Sequence, residues 1–287
     1  MIRLAVVFLF VAKSLLAANV TLLSTYSWTM PDKAFGGLSS LYLNDQGNRF
    51  LATSDRGHFL TGKINRRNGK IIGITEQNIT PILTPKGQPV RGKNVDAEGL
   101  AVRKDGEIFV SFERNHRVWA YDSVTSAAQK LPKHADFKEL EFNASLESLA
   151  IDAKGWLYVM PEIPEKQGNP LPVYRYKNKA WDKRLSIPEL SEFRATGADF
   201  GPDGKFYLLE RHRSIIAGYT TRIRRFTRAT TGFKDQQVLL KTPYGTHGKV
   251  EGISVWQDDQ NRIRITLILD NNFSRTKKTE LIEYVVN

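Results

Sequence analysis

Short apolar runs broken by Asp/Gly turns recur along this chain and predict paired β-strands. One copy runs from Leu100 to Val102, turns at Lys104-Asp105-Gly106, continues from Ile108 to Phe112 and ends on Glu113. Further copies turn at Asp45-Gln46-Gly47, at Lys154-Gly155, at Pro202-Asp203-Gly204 and at Asp258-Asp259. Asp-Gly supplies the backbone geometry that tight hairpin turns demand, so each pair reads as a β-hairpin. A third apolar run follows most copies: Val118–Tyr121, Val173–Tyr176, Ile223–Phe226 and Leu281–Val285.

The spacing of the copies sets the fold class. Glu98, Glu147 and Glu251 open equivalent strands at separations of 49 and 104 residues, the second gap spanning two copies. A period of about 50 residues with three or four strands per copy is the pattern of a β-propeller. Five copies fill the chain, so an all-β propeller of five blades is expected. Six remain open if the stretch from Gly73 to Val95 holds a degenerate unit. The last copy lacks a fourth strand, and Val20–Tyr26 is a strand without a blade. Pairing the two would close the ring and remove its exposed edges. With no linker or low-complexity segment, residues 19–287 read as one domain.

Composition narrows this picture. At 287 residues, 41% hydrophobic and 25% charged, the chain has the make-up of a soluble globular protein. The absence of cysteine excludes disulfides, thiolate metal sites, a Cys nucleophile and a lipoprotein anchor. Residues 1–18 read as a signal peptide, with Arg3, an apolar run from Leu4 to Ala12, and small residues Ala17 and Ala18 at a cleavage site. That run is shorter than the ~20 residues a spanning helix needs, and Lys13 interrupts it. A periplasmic or secreted monomer with no integral membrane span is therefore expected. The net charge of +12 favours an anionic small-molecule substrate or ligand. The basic residues are scattered apart from short clusters such as Arg222, Arg224, Arg225 and Arg228, which read equally well as a solvated surface. No nucleic-acid motif accompanies them.

Propeller topology brings the start of each first strand beside the end of each second strand at the channel mouth. The first set is Ser39, Glu98, Glu147, Thr196 and Glu251; the second is Asp55, Glu113, Glu162, Glu210 and Asp270. Buried carboxylates are costly unless paired, so packing does not account for an acid in every copy of the second set. Arg56 and His58, Arg114 and His116, Arg211 and His212, and Asn271 and Asn272 follow these acids. Such a ring suits a hard cation: Ca²⁺ takes six to eight oxygen ligands, here drawn from Glu98, Glu147, Glu251, Asp270 and Asn271. Glu98, Glu113, Glu210, Arg114, Arg211 and His116 are the candidate catalytic residues, for proton transfer and anion binding. No zinc spacing, P-loop or G-x-S-x-G elbow is present.

The segments Gly36–Leu41, Asp96–Ala101, Leu209-Glu210-Arg211, Glu251-Gly252-Ile253 and Asp270–Phe273 give the chain a resemblance to the phytase-like propeller family, "esterase-like activity of phytase". An E-G-L-A strand start also occurs in gluconolactonase-like propellers. The resemblance implies an exported bacterial propeller whose repeated Glu and Asp residues form the active site. The chain departs from the family pattern at Ser148, where Gly is usual, and at Thr196, in the place of a Glu. Three functions follow: a metal-assisted phosphoric-ester hydrolase, a lactone or carboxylic-ester hydrolase, or a non-catalytic binding propeller.

Overall fold

Alternating apolar positions and tight turns fold the described residues into twenty strands arranged as five four-stranded antiparallel sheets. The computed structural model describes residues 19–92, 95–141, 144, 146–189, 192–274 and 276–287. The signal-peptide reading of residues 1–18 lies outside them. Blade 1 is β2 (Leu38–Leu43), β3 (Arg49–Ser54), β4 (His58–Arg67) and β5 (Lys70–Pro81). Blade 2 is β6 (Ala97–Val102), β7 (Ile108–Phe112), β8 (Arg117–Tyr121) and β9 (Gln129–Lys130). Blade 3 is β10 (Leu146–Ile151), β11 (Leu157–Pro161), β12 (Leu171–Lys177) and β13 (Ala180–Ile187). Blade 4 is β14 (Arg194–Phe200), β15 (Lys205–Ser214), β16 (Gly218–Ala229) and β17 (Gly232–Lys241).

Blade 5 joins the two ends of the chain. Its strands β18 (Lys249–Gln257), β19 (Ile263–Asp270) and β20 (Thr279–Val286) are completed by β1 (Val20–Trp28), which pairs antiparallel with β20 from Val20↔Val286 to Trp28↔Thr279. The ring is therefore closed as the sequence predicts. The Gly73–Val95 stretch supplies no sixth blade. It completes β5 and then packs Ile82 and Val90 into the layer between blades 1 and 2, with one isolated bridge, Leu83↔Pro89.

The core is five layers, each between two adjacent blades. Tyr207, Leu209 and Ile223 of blade 4, for example, meet Ile253, Val255 and Leu267 of blade 5. Both faces of an inner strand thus contact a neighbouring blade, which is why β7 and β11 are buried at every position. The β2–β3, β6–β7, β10–β11 and β14–β15 turns each place a glycine at positive φ: Gly47, Gly106, Gly155 and Gly204. The β18–β19 turn has no glycine there, and Asn261 takes that conformation at φ 59°, as Asn does at modest cost. Among the described residues no helix is long and apolar enough to cross a membrane.

Candidate functional site

Every inner strand carries a register irregularity at its mouth end, and the residue inside it is the sequence-predicted first set. Ser39, Glu147, Thr196 and Glu251 are each skipped by the pairing with the second strand, as are Glu98 and Gly99 together. A β-bulge redirects the skipped side chain, and here it does so five times round one channel. The residue after the bulge packs against the next blade. A Cβ on Gly99 would lie 3.0 Å from the Glu147 carbonyl oxygen, and one on Gly252 would lie 2.8 Å from the backbone of blade 1. Hydroxyls stitch the same joints: Ser39 donates to the Ala97 carbonyl at 2.5 Å and Ser111 to the Leu146 carbonyl at 2.7 Å.

The bulges bring Asp96, Glu98 and Glu113 together, with one carboxylate oxygen from each lying within 4.8 Å of the others. Glu113 is buried; Asp96 and Glu98 retain partial access to the channel. Arg114 reaches Asp96 at 3.1 Å from the rim. Burial, then the charges of Glu147, Asp96, Glu251 and Glu113, hold the Glu98 carboxyl well above the usual carboxylate range. Burial followed by Glu162, Glu251 and Glu113 does the same to Glu147, against the pull of Arg211. Asp55 is pushed up to about 7 by burial and by Asp270 and Asp96. Its Oδ1 is buried with no hydrogen-bond partner among the described residues.

Across the channel the carboxylates are paired. Glu251 Oε1 is held by Arg211 and by Lys249, the latter at 2.5 Å. Lys249 also reaches Asp270 at 2.9 Å, and Arg194 reaches Glu162 at 2.7 Å. Burial alone would raise the Glu251 carboxyl, but Arg211 and Lys249 outweigh it and bring it below its ordinary value. Asn271 Oδ1 accepts from the Gly37 and Phe273 backbone N–H groups, so it ties blade 5 to blade 1.

Several residues of the predicted ring occupy other surroundings. Glu210 faces β16, where Arg222 and Arg224 bind both its oxygens at 2.6–2.9 Å. These two arginines are buried, so that part of the basic cluster is a structural clamp and not a solvated surface. The histidines diverge as well. His116 Nδ1 sits 3.1 Å from the Glu113 carbonyl oxygen, whereas His212 contacts the Tyr244 hydroxyl at 2.8 Å and Glu192 at 3.3 Å.

Asp96, Arg194 and Lys249 are not among the site residues expected from the sequence, although each stands two residues before its bulge residue. That shared offset was the available signal. A cleft of about 920 Å³ opens beside the paired side, lined by Glu162, Arg194, Arg211, Arg213, Lys249 and Lys277 among others.

Comparison with known proteins supports this frame. No curated protein sequence matches the chain. Among solved structures it is similar to an endo-arabinase from Bacteroides thetaiotaomicron, with TM-score 0.52, 13% identity, and 91% of this chain and 98% of that chain covered. It is also similar to the catalytic domain of an α-L-arabinofuranosidase from Coprinopsis cinerea, with TM-score 0.52, 12% identity, and 90% and 94% covered. A protein of unknown function from Dyadobacter fermentans gives TM-score 0.50 and 11% identity over 92% and 87%. At these identities the likeness is one of fold. The phytase-like family model matches residues 33–273, from before β2 to beyond β19, and the chain belongs to that family, described by the esterase-like activity of phytase.

Proposed function

We propose that the channel mouth is the active site of an exported, cation-assisted hydrolase of anionic esters, phosphoric esters first among them. The observation that carries this reading is the convergence of Asp96, Glu98 and Glu113, with Glu147 beside them, in a protein whose net charge is +12. An all-carboxylate donor set with neither His nor Cys fits a hard cation such as Ca²⁺ better than zinc. The orphaned Asp55 Oδ1 supports the same fit, since a nearby cation would satisfy it. Asp96, Glu98 and Glu113 would hold the ion, which when bound polarises an ester oxygen and offsets charge developing on it.

The chain's own residues supply the rest. Arg114 at the rim and Arg194 on the cleft side, each already bound to one carboxylate, meet the anionic group, while Arg211 stays committed to Glu251 and Glu162. Lys249 and Arg211 together offset Glu251 and Asp270, so the cleft wall repels an anion less. Glu147, outside the three-carboxylate set and held well above the usual carboxylate range, is in this reading the group that exchanges a proton with the leaving oxygen.

The test is a thermal melt of the mature chain in EDTA and then in millimolar Ca²⁺, followed by hydrolysis assays on phosphoesters, lactones and aryl acetates. A native-state site at a hundred times its Kd adds about 2.7 kcal/mol. A Ca²⁺-dependent rise in Tm together with phosphoester turnover, both lost in Glu98→Gln, is the expected result. Turnover confined to lactones or acetates would move the reaction to carboxylic esters, the chemistry named in the family's description. No rise and no turnover would leave a binding propeller and overturn the proposal.

A further inference from the structure

Among the described residues, the two most exposed large apolar side chains lie at the tip of the β15–β16 hairpin. Ser214 pairs with Gly218, which leaves Ile215, Ile216 and Ala217 as a three-residue loop. The loop is fixed, because Ser214 Oγ accepts from the Ala217 N–H at 3.1 Å and Gly218 takes φ +84°. Ile215 and Ile216 are 96% and 98% exposed. Turn tips favour Gly, Asn, Asp and Ser, so two adjacent isoleucines held in solvent run against turn chemistry. Single exposed apolar residues are ordinary on protein surfaces, whereas a contiguous pair on a projecting tip marks an interaction site.

The surroundings of the tip indicate the chemistry of its partner. The loop after β17 packs against the hairpin through the Gly245 N–H on the Tyr219 carbonyl at 2.8 Å and Tyr244 on His212. Tyr244, 45% exposed, adds an amphipathic ring against His212 on the same hairpin. From Arg211 to Lys234 and from Lys241 to Lys249 the chain contains no Asp or Glu, while Arg213 and Lys241 stand exposed. Three carboxylates, Glu162, Glu189 and Glu192, line the adjoining cleft; Arg194 and Arg211 meet Glu162, and His212 lies 3.3 Å from Glu192. An apolar tip, an interfacial tyrosine and a collar of cations match an anionic lipid surface: apolar side chains enter the headgroup boundary while basic ones meet the phosphates.

We infer that the Ser214–Gly218 hairpin tip docks this protein on anionic membrane surfaces, with Ile215 and Ile216 entering the lipid. Arg213 and Tyr219, which flank the tip, also line the 920 Å³ cleft, so docking turns the cleft towards the bilayer. This holds whether or not the mouth is catalytic.

The experiment is co-sedimentation of the mature protein with vesicles of phosphatidylcholine, alone and with phosphatidylglycerol. Wild type is expected to bind only the anionic vesicles, and Ile215→Ser/Ile216→Ser to bind them at least roughly tenfold more weakly. The chain has no cysteine, so Ile216→Cys provides a single site for an environment-sensitive fluorophore. Its emission should shift to the blue on anionic vesicles. Both substitutions lie in solvent and should leave the thermal melt unchanged. Equal binding by wild type and the double variant, or no blue shift, would show attraction by net charge alone and overturn the inference. So would concentration-dependent self-association abolished by the double variant, since the tip would then serve a second copy of the chain.

Discussion

Two arcs of one channel mouth carry similar carboxylates and treat them in opposite ways. On the arc of blades 4 and 5, and at Glu162 of blade 3, the acids are matched by Arg194, Arg211 and Lys249. On the arc of blades 1 and 2, Asp55, Glu98 and Glu113 are crowded by other acids, with Arg114 on Asp96 at the rim. In four of the five blades the residue two positions before the bulge separates the arcs. It is Arg194 or Lys249 on the paired side and Gly37 or Asp96 on the other. Similar strand-end bulges thus carry a neutralised wall on one side and a crowded acidic one on the other, because the recurring position is basic in blades 4 and 5 and is Gly or Asp in blades 1 and 2.

The largest test of that difference is pH. Asp55 moves from 3.8 to about 7 on folding, so the native chain holds a proton there that the unfolded chain has released. Stability from this group is full below about pH 4 and is lost as pH rises through 7. At ~1.4 kcal/mol per tenfold step this is on the order of 4 kcal/mol. Glu251 has the opposite sign: its contribution is present above its ordinary value of 4.5 and is lost as pH falls. Denaturant titrations in EDTA should therefore show stability falling between about pH 4 and 7, and millimolar Ca²⁺ should flatten that fall.

Glu251→Gln should cost about 3 kcal/mol, because removing one member of a buried ion-paired set leaves the others uncompensated. Urea unfolding should give the same loss with and without Ca²⁺. Glu98→Gln should do the reverse, raising the stability of the Ca²⁺-free protein at pH 8 by about 1–2 kcal/mol by relieving like-charge repulsion. The Ca²⁺ response should disappear in the same variant. If Glu98→Gln destabilises as Glu251→Gln does, the two arcs are not different in kind. The smallest effect is expected at Ser148, whose buried Oγ has no partner among the described residues. Ser148→Ala should be neutral or stabilising by up to ~1 kcal/mol in a thermal melt, since no hydrogen bond is lost.

Much of the fold was legible in the chain. The hairpin turns, the repeat of about 50 residues and the unpaired strand at Val20 imply a closed ring of five blades, and that ring is observed. The site was legible only in outline. Equivalent strand ends gave an acid in every blade, yet they did not show that Glu210 would turn to Arg222 and Arg224 on the next strand. That pairing depends on register and on which face of β16 each arginine occupies, and a one-residue shift would reverse it.

Local chemistry by itself determined the elements: the turn residues and the alternation of apolar and polar positions. These follow from steric and hydrogen-bonding rules that act over a few residues. The tertiary structure alone decided which charges meet. Lys249 and Arg211 are 38 residues apart in the chain, and Asp96 and Glu113 are 17 apart. Each set becomes one electrostatic unit only when the ring closes, since interactions between charges depend on distance and burial and not on order along the chain.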